Sequence, residues 1–238
     1  MKLIYEGKAK KIFEDGQDFQ GQPTVIMEFK DSLTAFNAQK KGNFAQKGEI
    51  NLQFSQKIFQ LLSEKGISHH VVEVIDPTHV RVLKLQMLPV EVVVRNKTAG
   101  SLAKRLGYEE GVQLKKPLVE FYLKNDELQD PLLTEGQIET LEILTSSEMK
   151  QAQEVALRIN QVLKDFFASV GVDLIDFKIE LGKGPQGKLY LADEITPDSC
   201  RLWDQKTQEK LDKDVFRRDL GDVSEAYKKI ARKIGIQI

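Results

Sequence analysis

The chain has 238 residues, 41% of them hydrophobic and 30% charged, with a formal net charge of −1. That length suits one large domain or two small lobes around a substantial core. The near balance of charge excludes a global field that would draw the protein to nucleic acid or to an acidic membrane. One cysteine, Cys200, excludes an intramolecular disulfide and suits a reducing cytosol; with only three histidines beside it, the ligand set for zinc is poor. No apolar run nears the roughly 20 residues needed to span a bilayer. Met1-Lys-Leu-Ile-Tyr-Glu6 is too short and too soon charged to resemble a secretory signal, so the expected location is cytoplasmic.

Leu3–Tyr5 and Lys11–Phe13 are predicted strands around the short turn Glu6–Lys10, and Thr24–Phe29 is a third. Lys40, Lys41 and Lys47 lie in a glycine-containing stretch that suits a mobile basic lid or plain solvated surface. From Gly48 to Glu64, Ile50, Phe54, Ile58, Leu61 and Leu62 recur at helical spacing, and Gly66 suits the stop. His70–Ile75 and Val80–Leu85 alternate or run β-branched about the turn Asp76-Pro-Thr-His79. Leu88–Arg95 is another strand and the expected crossing between an N-terminal lobe, residues 1–88, and a C-terminal lobe, residues 89–238. Thr145-Ser-Ser-Glu148 is a capping box opening a long helix that turns Met149, Ala152, Val155, Ala156, Ile159, Val162, Leu163, Phe166 and Phe167 inward and stops at Gly171. Val172–Leu181 and Lys188–Ile195 are strands joined by Gly182-Lys-Gly-Pro-Gln-Gly187, and Val223, Tyr227, Ile230 and Ile234 mark a closing helix. The sum is an antiparallel-rich, two-lobed α+β protein and not an alternating βαβ fold.

Three segments concentrate chemistry. In Leu174–Leu181, alternation puts Asp176, Lys178 and Glu180 on one face and Phe177, Ile179 and Leu181 on the other. Pairing Leu181 with Lys188 would set Asp176 opposite Asp193 and crowd carboxylates that repel unless a cation joins them. Magnesium binds through one or two carboxylates together with substrate phosphates; the competing explanation is an exposed Lys–Glu ladder. After the second strand, Asp193, Glu194, Asp198, Arg201, Trp203 and Asp204 follow in quick succession, either a salt-bridged loop or a place where metal and phosphate meet. Tyr5-Glu-Gly-Lys-Ala-Lys10 is a glycine turn with two lysines, able to approach a phosphate, though basic turns without ligands are common. Arg95, at a strand end, precedes a short helix beginning near Thr98–Ser101: a phosphate cradle, or a capped helix whose Arg95 pairs with a carboxylate.

Together these segments resemble the SAICAR synthetase (phosphoribosylaminoimidazole-succinocarboxamide synthase) family, in order and over essentially the whole chain. The stretches that carry the resemblance are Tyr5–Lys10, Pro89–Asn96 with Ala99–Leu102, Asp176–Glu180 and Asp193–Asp204. The resemblance implies a kinase-like ATP-binding architecture and an ATP-dependent ligase of purine biosynthesis. Such an enzyme joins L-aspartate to the carboxylate of carboxyaminoimidazole ribonucleotide (CAIR), giving SAICAR, ADP and phosphate, with an acyl phosphate on the path. Carried over by position, it places ATP at Gly7, Lys8, Ala9, Lys10, Lys84, Gln86, Met87 and Leu88, and Mg²⁺ with the nucleotide at Glu180 and Asp193. Asn37, Arg95, Ser101, Asp176, Lys178, Asp198 and Arg201 would bind CAIR. Lys178 and Asp176 would be the catalytic pair, with Asp176 a candidate base. Cys200 would be a bystander, and Glu194, Trp203 and Asp204 structural. Similar enzymes suggest a homodimer, with no nucleic-acid or membrane partner. A small-molecule kinase would need a His-Arg-Asp loop and an Asp-Phe-Gly segment, both absent from the sequence. A non-catalytic nucleotide-binding module would leave the acidic hairpin unexplained.

Overall fold

The computed structural model describes residues 1–35 and 39–238. Asn37 lies outside the described residues. The first half supplies β1 (Leu3–Glu6), β2 (Lys10–Phe19), β3 (Gln22–Phe29), β4 (Ser32–Ala35), β5 (Lys40–Asn43), α1 (Lys47–Glu64), β6 (Val71–Val74) and β7 (His79–Leu83). Then come β8 (Gln86–Lys97), α2 (Gly100–Leu106), β9 (Gln113–Leu123), β10 (Leu132–Leu133), α3 (Glu135–Thr140) and α4 (Ser146–Ser169). The chain closes with β11 (Val172–Lys183), β12 (Leu189–Ala192), β13 (Cys200–Asp204), α5 (Asp214–Arg217) and α6 (Val223–Lys233).

Two antiparallel sheets dominate. The first has the order β1-β2-β3-β7-β6, the second β10-β9-β8-β11-β12 with β13 also paired to β11. The two-lobed α+β expectation is met. No helix among the described residues is long and apolar enough to cross a membrane.

Strand β11 is the axis of the second sheet. It pairs with β8 along one edge, and with β12 and then β13 along the other. Its alternation holds: Phe177, Ile179 and Leu181 are fully buried in the main core with Val90, Val92 and Val94 of β8. Helix α4 packs against β11, β8 and β9. Its expected capping box is present, Thr145 accepting from the Glu148 amide at 3.2 Å and the Glu148 carboxylate from the Thr145 amide at 2.8 Å.

The β11–β12 register differs from the expected one. Leu181 pairs with Leu191, and Glu180 with Ala192. The glycine-rich connection takes up residues in a one-turn helix, Pro185–Gly187, so β12 starts later and ends at Ala192. Asp193 therefore lies just past the strand, and the partners of Asp176 are Arg95 and Arg201. Strand β13 was not expected. Its charged and aromatic residues read as loop, yet Leu202 and Trp203 are buried against β11.

Helix α1 connects the two sheets. It packs on β3 of the first sheet and on α4 and α6 beside the second, and Ile50, Phe54, Ile58 and Leu62 belong to the main core. The β11 core face is expected to be the most sensitive point of the fold. Ile179→Ala removes a fully buried side chain beneath the cleft and should lower stability by about 3 kcal/mol. A urea midpoint equal to wild type would contradict that packing.

Candidate active site

A cleft of about 800 Å³ is lined from both sheets, by Ile12, Val25 and Val82 on one side and by Met87, Lys178 and Glu180 on the other. Its polar floor is the outward face of β11. Asp176 stands directly between Arg95 of β8 and Arg201 of β13 in register. Arg95 Nη1 donates to Asp176 Oδ2 at 2.7 Å, and Arg201 Nη1 reaches the same oxygen at 2.9 Å. One buried carboxylate thus holds two guanidinium groups side by side, an arrangement that needs further anions to offset the second positive charge.

Other carboxylates orient the two arginines. Arg95 Nε donates to Glu120 at 2.6 Å and its Nη2 to Ser101 Oγ at 3.0 Å. Arg201 Nε donates to Asp214 at 2.8 Å. Burial alone would weaken the charge on Arg201, but Asp176 and Asp214 overcome it and hold the group firmly cationic. Gly100, at φ +53°, lies against this guanidinium. A Cβ there would come within 2.5 Å of Arg201 Nη2, so only glycine lets the start of α2 close over the arginine.

Two residues along β11, Lys178 is enclosed by acids. Its Nζ lies 2.8 Å from Glu91, 3.1 Å from Glu180 Oε1 and 3.9 Å from Asp193 Oδ2. Burial opposes the charge on Lys178, but Glu180 and Glu91 outweigh it and raise its pKa well above the ordinary lysine range. Burial likewise opposes ionisation of Glu180, yet Lys178 and Lys124 bring its carboxyl down to about 2. Lys10 pairs with Asp193, and Glu194 Oε2 lies 3.3 Å from Lys10 Nζ as a charge contact without hydrogen-bond geometry. Burial draws the Lys10 pKa down, against the pull of Glu194 and Glu180.

Asp198 is enclosed more completely. Its Oδ2 accepts from Lys47 Nζ at 2.5 Å and from Asn51 at 2.9 Å, and its Oδ1 from the Tyr227 hydroxyl at 2.5 Å. Burial acts against its ionisation, but Lys213 and Lys47 hold it ionised well below the usual carboxylate range.

The expected residues largely share this cleft. Gly7, Lys8, Ala9, Lys10, Lys84 and Met87 line it, as do Arg95, Asp176, Lys178, Glu180, Asp193, Asp198 and Arg201. The Gly7 amide closes the β1–β2 turn on Lys10 O at 2.9 Å, and Lys8 reaches Asp126 at 2.7 Å. Ser101 joins through Arg95. Gln86 and Leu88 do not line the cleft; Leu88 turns into the main core. Glu180 and Asp193 offer two oxygen donors converging on one point, the Lys178 ammonium. Among the described residues no group of three or more metal-ligating side chains forms. That set suits a magnesium ion completed by water and phosphate oxygens, and not a metal held wholly by protein.

Several participants were not anticipated. Lys47 is 1% exposed, not solvated surface. Its signal lay in the helical period already used for Ile50, Phe54 and Ile58, which one turn earlier puts Lys47 and Asn51 on the same stripe. Tyr227 counted only as apolar packing, and Glu91, Glu120 and Asp214 had no distinguishing local pattern; Lys124 lies in Phe121–Asp126, which places polar groups at a strand end without naming a chemistry. Asp204 caps the Lys206 and Thr207 amides, and Lys210 lies 4.1 Å over the Trp203 ring, in agreement with structural roles.

Comparison with known proteins decides the family. The family model for SAICAR synthetase matches residues 3–234. This chain belongs to the SAICAR synthetase family. A phosphoribosylaminoimidazole-succinocarboxamide synthase from Anoxybacillus flavithermus is 49% identical over 233 residues, 98% of this chain and 95% of that protein. A solved SAICAR synthetase in complex with ADP is 49% identical with a TM-score of 0.93, covering 98% of this chain and 97% of the other. The crystal structure of the phosphoribosylaminoimidazole-succinocarboxamide synthase from Ehrlichia chaffeensis has the same TM-score at 42% identity and covers both chains completely. The SAICAR synthetase family comprises ATP-dependent carbon–nitrogen ligases of purine biosynthesis, and this chain is an enzyme of that kind.

In this member of the family, Cys200 is 2% exposed, and burial pushes its thiol above the ordinary range. The native enzyme should resist iodoacetamide at about pH 8, where an exposed thiol is partly ionised, and react fully once unfolded. Cys200→Ser should retain activity. Rapid native labelling, or a large activity loss in a stable serine variant, would contradict a bystander role.

Proposed function

We propose that this enzyme binds ATP, magnesium, CAIR and L-aspartate along the outward face of β11, with residues 1–88 forming the nucleotide lobe and 89–238 the substrate and metal lobe. The observation that carries the assignment is the order of charges on that strand. The paired guanidinium groups lie beside Asp176 and the two oxygen donors lie around Glu180, with Lys178 midway. At about 3.3 Å per residue, the two ends are roughly 13 Å apart.

In this assignment Arg95, Arg201 and Ser101 hold the phosphate of CAIR. Arg201 is held open to it by Asp214, and Asp176 keeps the two arginines from separating. The role of Asp176 is therefore to position these cations, since its oxygens are engaged by both guanidinium groups. Asp198 faces the nucleotide from its cage of Lys47, Asn51 and Tyr227. Lys8, Lys10 and the Gly7 turn face the ATP phosphates, and Met87 with Val25 and Val82 makes an apolar seat for the base. Lys84 lies at the rim. Glu180 and Asp193 would hold magnesium, which when bound neutralises the polyphosphate and polarises its terminal phosphorus.

The chemistry follows from poor leaving groups. A carboxylate cannot expel oxide, so an oxygen of the CAIR carboxylate attacks the γ-phosphorus and ADP departs, leaving an acyl phosphate. The aspartate amine then adds to the acyl carbon, phosphate leaves with the former carboxylate oxygen, and the amine gives up a proton. Lys178, a fixed cation between the two sites, is placed to offset charge where carboxylate meets γ-phosphate. No side chain is required as a covalent nucleophile, and positioning accounts for much of the acceleration. A cytoplasmic homodimer completes the proposal.

ADP release should require CAIR and aspartate together; turnover indifferent to aspartate would point to a kinase or an ATPase. Glu180→Gln or Asp193→Asn should cut turnover on the order of 100-fold or more while sparing the fold. Near-normal rates would remove them from the metal site. Arg201→Ala, which loses charge-assisted hydrogen bonds, should raise the KM for CAIR roughly 10- to 100-fold with little effect on that for ATP. Equal effects on both substrates would refute its assignment.

A further inference from the structure

Asp193 has an unusual backbone. Its φ is +57°, in the left-handed region that residues with a Cβ seldom occupy. The chain leaves β12 at Ala192, and this one left-handed residue turns the Asp193 carboxylate back toward Lys10 and Lys178. No glycine supplies the conformation, so something in the surroundings must maintain it.

The Asp193 carbonyl oxygen lies 2.9 Å from Nε2 of His70. A carbonyl only accepts, so Nε2 must carry the proton and donate. His70 is 5% exposed, and its ring packs on Phe59 at a centroid distance of 5.8 Å. Its backbone is fixed on both sides. The His70 amide donates to Leu191 O at 2.9 Å, and its carbonyl accepts from the Leu83 amide at 2.8 Å. His70 is therefore anchored to β7 in the first sheet and to β12 in the second.

We propose that His70 is a positioning residue for Asp193: its Nε2–H locks the left-handed peptide and thereby aims the Asp193 carboxylate at the magnesium–polyphosphate position. This rests on the assignment of Asp193 to the metal site. Because His70 belongs to the connection between the sheets, the same bond ties the metal-facing carboxylate to the lobe that carries the Gly7–Lys10 turn. His70 also lines the cleft, but its Nε2–H is engaged by the Asp193 carbonyl, so this bond acts through the geometry of Asp193.

The test is ADP binding by calorimetry, with magnesium and with chelator, for wild type, His70→Leu, His70→Gln and Asp193→Asn. Leucine keeps apolar bulk and removes the donor. It should weaken magnesium-dependent ADP binding about 10- to 100-fold, as loss of a partner orienting a metal ligand does, and leave binding in chelator unchanged. Glutamine offers an amide N–H near the Nε2 position and should restore most of the loss. Equal weakening with and without magnesium in His70→Leu, or no rescue by glutamine, would show a merely structural role and overturn the proposal. If Asp193→Asn abolishes the magnesium effect and His70→Leu does not, the proposal fails while the metal assignment stands. If Asp193→Asn changes nothing, the metal assignment itself fails. Should the leucine variant not fold, ¹⁵N NMR of the wild-type imidazole decides. An Nε2–H tautomer supports the proposal, and an Nδ1–H tautomer overturns it.

Discussion

The Asp176 carboxylate between Arg95 and Arg201 is the constraint from which the rest of the site takes its geometry. Two guanidinium groups facing each other across one strand, Arg95 buried and Arg201 half-buried, would repel each other and distort the sheet if their shared counterion were absent. With Asp176 in place, the strand order β8-β11-β13 becomes a rigid cation pair with fixed spacing. Glu120 and Asp214 then set the outward direction of each arginine, and Gly100 allows a helix start to close over one of them. The site is thus built on the central strand of a sheet, where position is set by a hydrogen-bonded ladder and not by loop conformation.

The same strand separates two requirements that are hard to meet together. One face of β11 is entirely apolar and anchors the core; the other is charged yet substantially buried. Each ion along the charged face has a partner of opposite sign: Asp176 the two arginines, Lys178 Glu91 of β8 and Glu180 on its own strand, and Glu180 also Lys124 just past β9. Alternation at a period of two residues lets stability and charge placement occupy one segment without conflict. Binding of anions and a metal would exchange some of these internal partners for ligands, so the cleft is already close to electrically balanced before its substrates arrive.

Local pattern made the helices legible. The capping box at Thr145–Glu148 and the apolar stripe of α4 depend on neighbours within one or two turns, and the two faces of β11 followed from alternation alone. Register did not, because it depends on how Gly182–Gly187 folds: a one-turn helix there moved Asp193 away from Asp176. Nor was β13 apparent, since Arg201 and Asp204 have partners distant in sequence that allow charged residues to pair into a sheet. Lys47 shows the same limit. A lysine reads as solvated unless its buried partner is known, and Asp198 lies 151 residues further along the chain. The family resemblance grouped Arg95, Asp176, Asp198 and Arg201 at one site, but not the Lys47, Tyr227 and Asp214 partners that hold them.

Helix α1 has one more implication. It lies in the N-terminal part of the sequence, yet Ile50, Phe54, Ile58 and Leu62 are buried in the cluster that holds β8, α4 and β11. Dividing the chain near residue 88 would cut through that single cluster and strip Asp198 of Lys47 and Asn51. The two lobes are accordingly architectural and not autonomous. The first sheet keeps a small cluster of its own, Val25, Met27, Phe29, Leu52, Val80 and Val82, but the main core is built from both halves, the make-up of one cooperative unit.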